Sequence, residues 1–167
     1  MTPTRQGRQL QNLAILSLFF FSWLSMITLP ALPYGIPFIW CATCYWAYHH
    51  GGALLIIFLL FLGFFFDATQ NVAFGTWGMM LALAYFLSSR LAIALVGRPF
   101  WISWVAIIPA LMAGGMIGWL LTFLSHSAAV SAGPMMVNMI TAFALYPLVS
   151  AILSFLTRRF VSGGHEG

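Results

Sequence analysis

The sequence predicts an all-α, polytopic integral membrane protein of six transmembrane helices, and three observations predict it. Of 167 residues, 62% are hydrophobic and 5% charged, against roughly 25% charged in soluble domains. The apolar residues fall into six runs separated by Pro, Gly and polar clusters, and a chain of this length holds about six spans of roughly 20 residues with little left over. When the runs are threaded from the N-terminus, all six Arg fall on one side, the pattern of Lys and Arg at a cytoplasmic face. The net charge of +4 rests on these few Arg, not on a solvated basic patch, so nucleic-acid binding is excluded. No stretch remains for a soluble catalytic domain.

The first span covers residues 10–29. It follows Arg5 and Arg8 and is too long and too aromatic for a signal-peptide core, so it is read as a retained span. Pro30 and Pro33 mark its exit. The second, residues 34–48, is short, and its rings (Tyr34, Trp40, Tyr45, Trp46, Tyr48) are the kind that favour headgroup depth. A His49-His50-Gly51-Gly52 turn leads to the third span, residues 53–67. The fourth covers 75–96, the fifth 100–125 with Pro109 as its expected kink, and the sixth 134–156, leaving a short cytoplasmic tail at 161–167. Short connections make consecutive spans antiparallel neighbours.

With the N-terminus inside, Arg5, Arg8, Arg90, Arg98, Arg158 and Arg159 are all cytoplasmic-face anchors, and the outer connections 30–33, 68–74 and 126–133 carry no Arg. A five-span threading would put one terminal Arg pair outside. Arg90 lies inside its span, near enough to the edge for its stem to snorkel to the headgroups.

Few residues could carry chemistry. Cys41 and Cys44 have redox-motif spacing but lie mid-span, where a thiolate is not favoured, and are read as small packing residues. The four His fall in an inner turn, an outer loop and the tail, so no metal or haem site is expected. Ala106, Ala110, Gly114 and Gly118 recur every fourth residue and form a stripe on which another helix can pack closely, more often one of the same bundle than one of another protein. Asn138 and Thr141 offer modest polar contacts, and Pro147 frees a carbonyl in the sixth span. Asp67 is the acid that demands explanation, a carboxylate near the outer edge of the hydrocarbon at the negative end of its own helix dipole. Thr69, Gln70 and Asn71 could pair with it, as could the free backbone donors near Gly75 and Thr76. It is therefore expected to staple the third and fourth spans; a proton or cation site would need a second ionisable group at its depth.

Gly63, three apolar residues, Asp67, a short polar stretch and Gly75 opening a long span resemble the signature of the rod shape-determining protein MreD family. The chain length, six spans with both termini inside, and a last span carrying Tyr146-Pro147 before Arg158-Arg159 are similar to that family as well. Where many members place a Pro near the second Gly, this chain has Ala73-Phe74-Gly75. The resemblance implies a non-enzymatic subunit of the bacterial cell-elongation machinery, in the cytoplasmic (inner) membrane and surrounded by its lipids. It would bind the bitopic protein MreC, and through it the MreB filament, the glycan polymerase and the transpeptidase of lateral-wall peptidoglycan synthesis. No cofactor is implied. Partners would bind helix to helix, the stripe from Ala106 to Gly118 being one candidate face.

The family also shares a six-helix fold with the substrate-binding subunits of energy-coupling-factor transporters, which implies the alternative of a vitamin-type binding subunit. Those subunits resemble one another in a first span with small residues four apart. Here Ala14 is followed by Leu18, and the stripe is missing. An enzyme acting on lipid would need an interfacial nucleophile, acid or metal cluster, and none is found.

Overall fold

In a computed structural model the described residues are 5–26, 37–49, 52–70, 74–95, 97–125 and 133–162. They form helices α1 (Arg5–Ser25), α2 (Phe38–His49), α3 (Ala53–Gln70), α4 (Thr76–Ala94), α5 (Phe100–Val105), α6 (Ile108–Ser125) and α7 (Gly133–Ser162), without a strand among them. The expected exits at Pro30 and Pro33, the start of the second span at Tyr34, His50-Gly51, Asn71, most of the 126–133 connection and residues 163–167 lie outside the described residues.

Among the described residues three helical stretches are long and apolar enough to cross a bilayer: Thr76–Ala94, Trp101–Ser125 and Met135–Arg159. Ala53–Thr69 is a shorter apolar helix. The 12 residues of α2 reach only about 18 Å against roughly 30 Å of hydrocarbon. In α1, the first turns carry Arg5, Arg8, Gln9, Gln11 and Asn12, which dilute its apolar character.

Both α1 and α3 expose a row of large apolar side chains, and α1 turns most of its small and polar residues inward. On α1, Leu16, Phe19, Phe20 and Trp23 are exposed at helical spacing, while Ala14, Ser17, Ser22 and Ser25 are buried. On α3, Ile57, Phe61, Phe64 and Phe65 look out, and Leu55, Leu59, Leu62, Phe66 and Asp67 look in. This is the arrangement for a lipid surround, where burying Leu gains little and close packing and hydrogen bonds hold helices together.

The centre of the bundle is α2, in which every residue from Ile39 to Ala47 is buried. It packs on α1, α4 and α7. Its rings face other helices and not the surround: Trp40, Tyr45 and Trp46 are each 3% exposed or less. A helix apolar on all faces belongs inside, and here Cys41, Ala42, Thr43, Cys44 and Ala47 let its neighbours approach. The Trp46 indole donates to Ser17 Oγ at 2.7 Å, and the Cys41 thiol donates to the Ala142 carbonyl at 3.2 Å.

The fifth span is two helices. The break falls at Ala106–Ile107, where Ile107 N–H reaches back only three residues, to Trp104 O at 3.2 Å. Pro109 has no N–H for the Val105 carbonyl and its ring crowds the preceding turn, so the helix tightens and restarts just ahead of it. By contrast, α7 runs unbroken through Pro147. The third helix ends at Gln70, three residues beyond the expected end, which places Asp67 inside its last turn.

Hydrogen bonds fix which helix ends lie together. Ser25 Oγ, at the end of α1, accepts from Ile39 N–H at the start of α2 (2.9 Å), so α1 and α2 are antiparallel. At the other end, Tyr48 O–H reaches Leu95 O (3.5 Å), Tyr45 meets Thr157 (3.4 Å), and Tyr85 O–H accepts from Gly52 N–H (2.7 Å). The helix ends that carry Arg8, Arg98, Arg158 and Arg159 thus gather at one end of the bundle, and Asp67 sits at the opposite end.

Candidate functional site

Asp67 reaches its partners because Gly63 lets two helices touch. Gly63 lies one turn before Asp67 on the same face of α3, and its backbone rests directly on that of Gly78 in α4. A Cβ at Gly63 would overlap Gly78 Cα and N. A Cβ at Gly78 would meet only Leu60, at 3.6 Å. The contact is therefore one-sided, with Gly63 as the residue that cannot carry a side chain. At this separation the last turn of α3 overlies the first turn of α4.

There the Asp67 carboxylate caps α4 from outside it. Gly75 N–H donates to Oδ2 at 2.7 Å, and Trp77 N–H donates to Oδ1 at 2.9 Å. These are two of the four donors that every helix start leaves without an intrahelical partner. Gly75 is the N-cap and supplies no side chain; its φ of 94° is the left-handed conformation that turns its N–H toward Asp67, one that L-residues adopt at a cost. The aligned peptide dipoles of α4 add a favourable field at the carboxylate. Phe66 and Trp77 pack beside it, ring centroids 5.2 Å apart, and Asp67 is 1% exposed.

The polar residues expected to help do not all do so. Thr69 Oγ1 donates to its own helix, to Phe66 O at 3.0 Å. Thr76 is buried, but the donors are its neighbours Gly75 and Trp77. Asp67 has no cationic partner among the described residues. Arg90 sits fourteen residues beyond Thr76, about 21 Å along α4, exposed and over the Phe86 ring at 5.0 Å, as a snorkelling side chain would be. With each oxygen engaged by an N–H group, the carboxylate holds the turn between α3 and α4.

The small-residue stripe faces inward. Ala110, Gly114 and Gly118 are buried, and Ala106 sits half-buried at the helix break. A Cβ at Gly114 would lie 2.9 Å from the Trp40 ring and 3.2 Å from Met80 O, and one at Gly118 would strike the Met80 side chain. The face proposed from sequence for a partner is occupied by the chain's own α2 and α4.

Pro147 has a specific use. Its missing N–H leaves the Phe143 carbonyl four residues back without a helical donor, and the Trp104 indole N–H of α5 donates to that oxygen at 3.0 Å. The two rings stack at 4.8 Å and 10°. Sequence reasoning saw the freed carbonyl but not its partner. It also missed Ser25, which does for α2 what Asp67 does for α4; a Ser in the last turn of one span is the signal that could have found it. Arg8, Arg98, Arg158 and Arg159 are exposed.

Among the described residues no three His, Cys, Asp or Glu side chains gather as a metal site would require. Between α6 and α7 a groove of about 310 Å³ is lined by Met112, Gly115, Met116, Trp119, Met135, Met136, Met139 and Ile140. Compared with known proteins, the chain matches no family model, no curated protein and no solved structure. The functional reading therefore rests on the residues themselves.

Proposed function

We propose that the chain is a non-enzymatic, six-span subunit of the bacterial cell-elongation machinery, of the MreD kind, seated in the cytoplasmic membrane with both termini inside. The observation that carries this reading is the convergence of Gly63, Asp67 and Gly75, the residues on which the resemblance rests, in one structural device. Gly63 admits the crossing, Asp67 caps the next helix and Gly75 presents its N–H. Such a signature makes sense in a protein whose task is to hold a shape that partners recognise, since a rigid hairpin sets the spacing of the helices on either side.

The Arg cluster at one end supports a cytoplasmic assignment for that end. With the Ala110 to Gly118 stripe occupied internally, MreC and the wall-synthesis enzymes are assigned to outward-facing helix surfaces, and MreB is reached through MreC. The transporter alternative gains nothing from the α6–α7 groove, whose lining offers none of the convergent polar groups that orient a vitamin-sized ligand. Co-purification in mild detergent from a rod-shaped bacterium, with retained proteins and small molecules identified by mass, tests the reading. Recovery of MreC is the expected result; recovery of a vitamin-sized ligand and a transporter coupling subunit in its place would overturn it.

A further inference from the structure

Two polar side chains in the bundle interior have no hydrogen-bond partner among the described residues and line the same small cavity. They are the Trp40 indole N–H of α2 and Asn138 Oδ1 of α7. Both residues are more than nine-tenths buried, at 3% and 5% exposure. The cavity between them, lined also by Pro37, Met135, Met139 and Ala142, holds about 10 Å³ for the centre of a small molecule. That is about the volume one water needs, provided two to four polar groups hold it.

One orphan is a donor and the other an acceptor, so a single oxygen that both accepts and donates satisfies both. Leaving them unpaired would waste two buried polar groups, which native interiors rarely do. We propose that this cavity is a one-oxygen site in which a hydroxylic group, that of water, accepts from Trp40 Nε1–H and donates to Asn138 Oδ1, joining α2 to α7. The room is about that of one heavy atom. A hydroxyl on a membrane amphiphile has the same chemistry and would have to enter past Met135 and Met139, which also line the apolar α6–α7 groove.

The test uses the full chain with ¹⁵N-labelled indoles in nanodiscs of deuterated lipid. Trp40→Phe assigns the Trp40 indole signal. The expected result is a through-space cross-peak from that proton to water. The Trp46 indole, which donates to Ser17 Oγ, is the control and should show no comparable peak. In Asn138→Leu the Trp40 cross-peak is expected to disappear while the Trp46 signal stays in place. A Trp40 proton that shows cross-peaks only to Met135, Met139 or other aliphatic protons would overturn the proposal as a dry cavity. One that gains a lipid cross-peak when protonated lipid is supplied, and shows none to water, would overturn the assignment to water in favour of an amphiphile. If Asn138→Leu fails to fold, the wild-type cross-peak alone decides.

Discussion

Removing the Asp67 carboxylate should loosen the α3–α4 hairpin by an amount its geometry sets. Asp67→Ala deletes two hydrogen bonds, of 2.7 and 2.9 Å. Hydrogen bonds to a charged acceptor contribute roughly 1.5–3 kcal/mol each, and a buried donor left unpaired costs about 1–3 kcal/mol. Trp77 is buried but Gly75 is half-exposed, so solvent can re-pair the Gly75 N–H and the total falls well below the sum of the maxima, at about 3–4 kcal/mol. At roughly 2–4 °C per kcal/mol for a domain of this size, the thermal midpoint in mild detergent should drop by on the order of 10 °C. Asp67→Asn keeps one acceptor and turns an amide N–H toward a donor, so it should fall between wild type and Ala, at a cost of about 1–2 kcal/mol. The assay is thermal unfolding of the purified variants, followed by loss of the monodisperse species on size exclusion. An Asp67→Ala midpoint within about 2 °C of wild type, less than 1 kcal/mol on this scale, would refute the capping argument.

Gly63→Ala should cost about 1–3 kcal/mol or more, as overpacking at a backbone contact does. Gly78→Ala should be neutral or slightly stabilising, because its Cβ has room and Ala favours the helix by up to about 1 kcal/mol; equal losses in the same thermal assay would contradict the one-sided crossing. Trp104→Phe should cost about 1–3 kcal/mol by leaving the Phe143 carbonyl unpaired. In a Pro147→Ala background, where the restored backbone N–H can take that carbonyl, the cost should shrink by about half or more, and additive losses in the double-mutant cycle would sink the pairing. Single cysteines introduced in residues 126–133 of a Cys41→Ala, Cys44→Ala background should react with an impermeant thiol reagent from outside intact cells; labelling only after permeabilisation would reverse the proposed orientation.

Much of the Asp67 site was legible because a carboxylate in an apolar chain has few ways to be satisfied, and the start of the next helix was the nearest set of free donors. Gly75 donates as expected, and the second donor is Trp77 in place of Thr76, with the left-handed Gly75 setting the entry of α4. The inward face of α1 was also readable in principle, from Ala14, Ser17, Ser22 and Ser25, whereas on α3 large apolar side chains lie on both faces. The burial of α2 was not. Hydrophobicity separates inside from outside only when the outside is water, so the sequence did not show that Trp40, Tyr45 and Trp46 are buried among the other helices. The partner reading of the Ala106 to Gly118 stripe failed to resolve for a related reason: a small-residue stripe announces close packing but not against which helix, and Met80 and Trp40 were too distant in sequence to be recognised as its occupants. The pairing of Trp104 with the carbonyl freed by Pro147 joins residues 39 apart in sequence, which no local pattern announces.

The proposed role is tested most directly by expressing the full chain in a rod-shaped bacterium depleted of its own MreD and measuring cell width, with the protein's level in the membrane checked by immunoblot. Restored rods of constant width are the expected result. Cells that round up despite a normal membrane level of the chain would contradict the assignment to the elongation machinery.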